Sequence, residues 1–286
     1  MMSKSIQKIA VIGGGVMGRG IALTAARAGY DTILFDIKEE MLEKADQYAQ
    51  KFLAKSVEKG KMSEEARSEA LGNLSFTTDP TALVADCLIE AVPENLALKH
   101  KVLAPLEAQN APDTIIASNT STIPITQIAA GLLRPQQVVG MHFFNPAPIM
   151  KLVEVISGVA TAPEVSDSIF SLAQSMGKVP VKTKDAPGFI VNRVARQFYL
   201  ESQRILQDQT ADHTAIDRLM KSSGFRMGPF ELMDLIGIET NHEVSKSMYA
   251  AFFYEERFQP SLVQQQKVDA GHYGRKTGKG FYDYTS

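Results

Sequence analysis

Lys8-Ile9-Ala10-Val11-Ile12-Gly13-Gly14-Gly15-Val16-Met17-Gly18 is the stretch on which the fold turns. A short apolar run stops at three glycines, and a helical pattern begins at once. Gly13, Gly15 and Gly18 satisfy G-x-G-x-x-G, a pattern that gains weight only between a strand and a helix. Gly13 suits a tight turn, Gly15 the close approach of a pyrophosphate, and Gly18 the packing of helix on strand. Val16 and Met17 then lie in a helix N-terminus that faces the phosphates. The next strand ends in Asp36, eighteen residues past Gly18. A carboxylate there accepts hydrogen bonds from ribose hydroxyls and repels the extra phosphate of NADP. Lys38 pulls weakly the other way, and NAD is the expected cofactor. A glycine turn with a solvated aspartate is the plain alternative. The flanking elements and the acid together favour the dinucleotide.

Outward from this loop, short apolar runs alternate with longer helical stretches, the signature of a parallel sheet with crossover helices. Strands are expected at 8–12, 31–36, 85–91, 115–118 and 137–143, with two more at 151–156 and 179–183. The main helices are expected at 15–28, 38–59 and 95–109. Thr183-Lys184-Asp185-Ala186-Pro187-Gly188 breaks the pattern and reads as a linker. From Phe189 onward only helical periodicity remains. The expectation is a Rossmann-type, doubly wound, mostly parallel sheet domain over 1–184 and an all-helical domain over 185–286.

Bulk properties narrow the class of function. The 286 residues are 44% hydrophobic and 22% charged, with a formal net charge of -2. Nothing in that balance suggests a nucleic-acid or membrane-surface partner. The one cysteine, Cys87, lies in an apolar run, which excludes an internal disulfide framework and suits a reducing compartment. No secretory signal is read at the N-terminus, because the apolar stretch is cut short by glycines. No apolar run approaches the roughly 20 residues of a membrane span. A cytoplasmic protein is expected, and no metal site is read.

His142 is the only histidine set in a strand-like apolar run; His100, His213, His242 and His272 lie in polar helical or turn contexts. His142 and Glu154 each stand six residues from Pro148. Antiparallel strands about that turn would set them face to face, with Cβ atoms roughly 4.5–5.5 Å apart. A glutamate among Leu152, Val153, Val155 and Ile156 is costly to bury unless paired. The carboxylate would fix the imidazole tautomer and stabilise the imidazolium formed when His142 takes a proton from an alcohol. Spacing alone equally allows a structural pair that satisfies two buried polar groups. Ala117-Ser118-Asn119-Thr120-Ser121-Thr122 follows a strand of the sheet, and ligands of such sheets gather at the carboxyl ends of strands. It also fits a polar turn or helix cap. Asn192 opens the first helix of the second region, where a capping amide is the simple reading.

Several stretches together resemble the L-3-hydroxyacyl-CoA dehydrogenase family. They are Ser118–Ser121, His142-Phe143-Phe144-Asn145-Pro146, Lys151-Leu152-Val153-Glu154-Val155 and Pro187-Gly188-Phe189-Ile190-Val191-Asn192-Arg193. Gly228-Pro229-Phe230-Glu231-Leu232 and the tail Lys276-Thr277-Gly278-Lys279-Gly280-Phe281-Tyr282 continue the order. The resemblance spans nearly the whole chain and is nearest to the short, stand-alone bacterial members that act on 3-hydroxybutyryl-CoA. It implies His142 as base and Glu154 as its acidic partner. It implies Ser121 and Asn192 as hydrogen-bond partners of the substrate oxygen at C3. It also implies Glu94, Lys99, Asn119, Asn145 and Lys276 as residues near NAD. The implied reaction interconverts a 3-hydroxyacyl-CoA and a 3-ketoacyl-CoA.

Lys51, Lys55 and Lys59 recur at four-residue spacing on one expected helix, with Lys61 just after. Stacked like charges slightly destabilise a helix, so a polyanion such as coenzyme A gives them a purpose. The resemblance places a CoA-contacting lysine at Lys59, with Lys55 the other candidate. Phe52 stands where the family often has a polar residue. An ordinary solvated face is the alternative. A same-fold dehydrogenase of a free hydroxy or sugar acid, and a non-catalytic dinucleotide binder, are the competing functions. Met248-Tyr249-Ala250-Ala251-Phe252-Phe253-Tyr254 is rich in apolar surface for a small bundle, and a homodimer through the helical region is expected.

Overall fold

Apolar runs bounded by turn residues become strands, and the computed structural model describes residues 6–285 of the chain. Its first compact unit is Met1–Ala186 and its second Pro187–Ser286. The first unit runs β1 (Lys8–Ile12), α1 (Val16–Arg27), β2 (Asp31–Phe35), α2 (Glu39–Glu58), α3 (Glu64–Gly72), β3 (Leu74–Thr77) and β4 (Cys87–Glu90). It continues with α4 (Leu96–Gln109), β5 (Ile115–Ser118), α5 (Ile125–Ala129), β6 (Val138–Phe143), β7 (Leu152–Ser157), α6 (Pro163–Ser175) and β8 (Val179–Lys184).

These strands form one sheet in the order β3-β2-β1-β4-β5-β6-β7-β8. From β3 to β6 all neighbours are parallel, β7 turns antiparallel to β6, and β8 is parallel to β7. Parallel strands need both faces covered, and β4, β5 and β6 are buried along their whole lengths. One face carries α1 and α6, whose Ile21, Ala25, Ile169 and Leu172 pack on Val11, Val139, Met141 and Val155. The winding order reverses between β1 and β4, which opens a crevice at their carboxyl ends.

Two local expectations needed correction. The strand β3 was not anticipated, because Leu74-Ser75-Phe76-Thr77 is short and half-buried at the sheet edge, with little alternation to read. The expected linker also begins too early, since Thr183 and Lys184 complete β8 against Ile156 and Ser157. Asp185 is itself anchored, accepting from the N–H groups of Ile125 and Thr126 at 2.8 and 2.7 Å. A carboxylate at the start of α5 satisfies donors that a helix leaves unpaired.

The second unit is α7 (Val191–Gln207), α8 (His213–Ser222), α9 (Pro229–Ile236), α10 (Ile238–Ala251) and α11 (Leu262–Asp269). Tyr199, Ile216, Phe230, Met233, Ile238 and Phe281 form its core, so the C-terminal tail is part of the packing. Cys87 is fully buried in β4. Among the described residues, no helix is long and apolar enough to cross a membrane.

Candidate active site

The glycine loop sits at the crevice between β1 and β4. Gly13 has φ +107°, and a Cβ there would lie 2.8 Å from the Ala91 carbonyl oxygen. A Cβ on Gly18 would lie 1.7 Å from the Gly13 carbonyl oxygen, so the helix closes onto the turn only with glycine at both ends. A Cβ on Gly15 meets nothing within 4 Å. The loop is tight on the protein side and open where a pyrophosphate would approach, which is the fit a dinucleotide requires. Gly15 is the N-cap of α1, followed by Val16, 55% exposed, and by the half-buried Met17. The Asp36 carboxylate lies beside this loop, accepting from the N–H of Gly14 at 2.7 Å and of Lys38 at 2.9 Å. Two donors leave acceptor capacity on a carboxylate for ribose hydroxyls.

Farther along the chain, β6 and β7 set His142 directly opposite Glu154. The ring Nδ1 lies 2.7 Å from Glu154 Oε2, with both side chains buried, and the Phe144 ring packs 4.6 Å from the imidazole. The spacing around Pro148 therefore yields the pairing it predicted. The hairpin between them is held from beneath by Lys178, whose ammonium donates to the carbonyls of Ala147 and Met150. Burial, and then the charge of Arg27, push the Lys178 ammonium down to about 8.

A third group completes this end of the sheet. Asn119 follows β5, and its Oδ1 accepts from the Phe143 N–H at 2.9 Å, tying the ends of β5 and β6 together. The next residues, 120–123, have no helix or strand to fix them. They are gathered instead by Glu94, whose Oε1 accepts from Thr120 Oγ1 at 2.6 Å, from the N–H groups of Ser121 and Thr122 at 2.9 Å each, and from Thr122 Oγ1 at 3.1 Å. Burial pushes the Glu94 carboxyl up, but the charge of Lys99 and the donors on Thr120, Thr122 and Ser121 outweigh it and hold it below the usual range. Lys99 itself is 1% exposed. Its ammonium lies 2.8 and 2.9 Å from the Glu90 oxygens and 3.3 Å from Glu94.

Glu90 was not singled out from the sequence, yet it is fully buried and also accepts from Ser118 Oγ at 2.5 Å and the Val92 N–H at 2.7 Å. The signal was present: a glutamate closing the apolar run Cys87-Leu88-Ile89 must find partners, by the reasoning that exposed Glu154.

Other expected residues lie elsewhere. Asn145 is exposed on the β6–β7 hairpin, at the same carboxyl end of β6 as His142. Lys55 is exposed on α2, and Lys59, also exposed, is its C-cap. Phe52 packs among Leu23, Ala49, Leu53 and Ala70, with the Arg27 guanidinium over its ring, which accounts for an aromatic residue there. Asn192 is in the first turn of α7, and Lys276 pairs with Glu239; both belong to the second unit.

Comparison with known proteins agrees with this division. Residues 8–186 match the family model for the NAD binding domain of 3-hydroxyacyl-CoA dehydrogenase, and residues 188–284 match the model for its C-terminal domain. A 3-hydroxyadipyl-CoA dehydrogenase of Escherichia coli (strain K12) is 47% identical over 99% of this chain, which spans 60% of that relative's length. A probable 3-hydroxybutyryl-CoA dehydrogenase of Bacillus subtilis (strain 168) is 41% identical over 98% of each chain. The crystal structure of the (S)-3-hydroxybutyryl-CoA dehydrogenase of Ralstonia eutropha superposes with a TM-score of 0.95 at 35% identity, covering 99% of this chain and 100% of that one. The glycine loop beside Asp36 is thus the heart of an NAD-binding domain, and the chain belongs to the 3-hydroxyacyl-CoA dehydrogenase family.

Proposed function

We propose that the chain interconverts (S)-3-hydroxyacyl-CoA and 3-ketoacyl-CoA, with 3-hydroxybutyryl-CoA and acetoacetyl-CoA as the expected pair. The observation that carries this reading is the buried His142–Glu154 pair, 2.7 Å apart, at the same sheet end as the glycine loop. With Nδ1 held by Glu154, the proton of the substrate hydroxyl passes to Nε2, and the carboxylate stabilises the imidazolium that results. In the reverse direction the imidazolium returns that proton to the oxygen. Ser121 hydrogen-bonds the C3 oxygen and fixes its distance from His142, and Asn192 is assigned to that oxygen by resemblance alone. NAD, when bound along Gly13, Gly15, Val16, Met17, Gly18 and Asp36, supplies the hydride chemistry at C3. Asn119 and Asn145 lie at the same sheet end, and Lys276 is assigned to the cofactor by resemblance alone. The exposed Lys55 and Lys59 receive the phosphates of coenzyme A.

The names of the two curated relatives differ in acyl chain, adipyl against butyryl. A direct test assays 3-ketoacyl-CoA esters of increasing length, and one with a terminal carboxylate, with NADH and NADPH. Free 3-hydroxy acids and sugar acids form the control arm. Turnover confined to free acids overturns the substrate class, and preference for NADPH overturns the reading of Asp36. A homodimer through the second unit belongs to the same proposal, supported by Phe253 and Tyr254, which are 93% and 68% exposed. Sedimentation as a monomer at micromolar concentration overturns it.

A further inference from the structure

We infer that Arg196 selects an acyl chain that ends in a carboxylate, receiving that group on the Nε and Nη2 edge of its guanidinium. The inference deepens the proposed function and rests on it, taking the substrate as a CoA thioester whose C3 oxygen lies at Asn192. Arg196 stands on α7 four residues past Asn192, and it is 2% exposed within the second unit. Its Nη1 donates to the Asn241 carbonyl and to Ser245 Oγ, each at 2.8 Å, and lies 3.4 Å from Asn241 Oδ1. The guanidinium sits 5.0 Å from the centre of the Tyr199 ring. Among the described residues Nη1 makes all of its hydrogen bonds, and the buried Nε has no partner. The arginines in ion pairs among those residues are Arg67, Arg134, Arg204 and Arg257, and Arg196 is not one of them.

A charge taken out of water without a counter-ion is costly, and an apolar side chain would fill this space without that cost. Asn241 and Ser245 satisfy one nitrogen with neutral acceptors and leave the charge unbalanced. Burial pushes the guanidinium down to about 10, with the Tyr199 phenol opposing, so it remains a cation at neutral pH. What the site lacks is an anion. Nε–H and the neighbouring Nη2–H form the fork that matches the two oxygens of a carboxylate. Residues four apart on a helix share a face, with Cβ atoms about 5–6 Å apart. In the acyl chain, C3 and a carboxylate carbon at C6 are separated by three bonds of about 1.5 Å each. A chain held at C3 by Asn192 therefore brings a C6 carboxylate within reach of the next turn of α7.

The test compares the full-length wild type, Arg196→Met and Arg196→Lys, with NADH and two 3-ketoacyl-CoA esters. One ester ends in a carboxylate at C6, and the other, 3-ketohexanoyl-CoA, ends there in a methyl group. The readout is the ratio of kcat/KM for the two, which does not depend on the fraction of enzyme that folds. The wild type is expected to favour the carboxylate ester by about tenfold or more. In Arg196→Met the ratio falls by at least roughly 30-fold, as when one partner of a buried charge pair is removed. The loss lies mainly in KM, because the contact is made equally before and during the reaction. Arg196→Lys keeps the charge without the fork and falls between the two. A second measurement needs no variant: in the wild type, hexanedioyl-CoA inhibits acetoacetyl-CoA reduction at concentrations about tenfold lower than hexanoyl-CoA. Equal inhibition by the two, or a ratio unchanged in Arg196→Met, makes Arg196 a structural clamp between α7 and α10. Either result overturns the inference and leaves the proposed function standing. Absence of turnover with every CoA ester overturns both.

Discussion

Both units bury carboxylates completely, and they use them differently. In the first unit Glu154 meets the ring nitrogen of His142, and Glu90 meets the ammonium of Lys99. In the second, Asp217 accepts from the N–H groups of Phe230 and Glu231 and from the Tyr282 hydroxyl. Asp234 accepts from the N–H groups of Phe281 and Tyr282 and from the Tyr284 hydroxyl. Burial and then the charge of Asp234 push the Tyr284 phenol up to about 12, so it remains a donor at neutral pH. Burial of an acid thus does not mark chemistry by itself. The partner decides: an imidazole both accepts and donates protons and so suits the proposed acid–base role, whereas amides and phenols make a clamp.

That contrast is most exposed to refutation at Glu154. Glu154→Gln preserves shape but removes the charge proposed to stabilise the imidazolium, and His142→Gln removes the proposed base. Both are expected to lower kcat by roughly 10²–10⁴-fold with NADH binding intact. Unchanged turnover in either would reduce the pair to a structural bridge and revive the non-catalytic dinucleotide binder. Asp234→Ala is the counterpart. It strands one buried and two partly buried donors, for a stability loss of about 1–3 kcal/mol, read as a lower midpoint in urea. Turnover per folded molecule stays within about threefold, since no acid–base partner is lost. A kcat loss as deep as that of Glu154→Gln, with stability retained, would break the contrast.

The same contrast explains what could be read before the structure. Period-two and period-3.6 patterns located seven of the eight strands and the helical second unit, because the buried parallel strands are continuous apolar runs. The edge strand β3 escaped because it is short and half-buried. The His142–Glu154 pairing was legible because a hairpin turns spacing into register. Glu90, Ser118 and Thr120 were not assembled into a network, since their partners come from separate crossovers and no local spacing reports that meeting. The motifs Gly228-Pro229-Phe230-Glu231 and Gly280-Phe281-Tyr282 carry part of the family resemblance, and the structure gives them a packing reason. A Cβ on Gly280 would lie 2.1 Å from Asp234 Oδ1, so the tail reaches that carboxylate only as glycine.

Lys178 carries the smallest expected effect and sharpens the comparison, because it is a buried titratable group inside the first unit whose partners are inert. Its ammonium donates only to the carbonyls of Ala147 and Met150 among the contacts described, at the hairpin that separates His142 from Glu154. The rule drawn from the carboxylates makes it a stabilising prop and not a participant in proton transfer. Burial and the Arg27 charge lower its folded-state value from 10.5 to about 8. Between those two values the unfolded chain holds a proton that the folded protein has released, so folding stability rises with pH across that window. The neutral amine keeps two N–H donors, enough for both carbonyls. Urea unfolding of the wild type and Lys178→Met at successive pH values from 7.5 to 10.5 should therefore show their stability difference shifting in favour of the wild type, with kcat near pH 7 within about threefold of normal. A difference that stays flat across the window would mean that burial does not disfavour the charge at this site. A deep loss of turnover with stability unchanged would show that partner chemistry fails to sort buried charges in this fold.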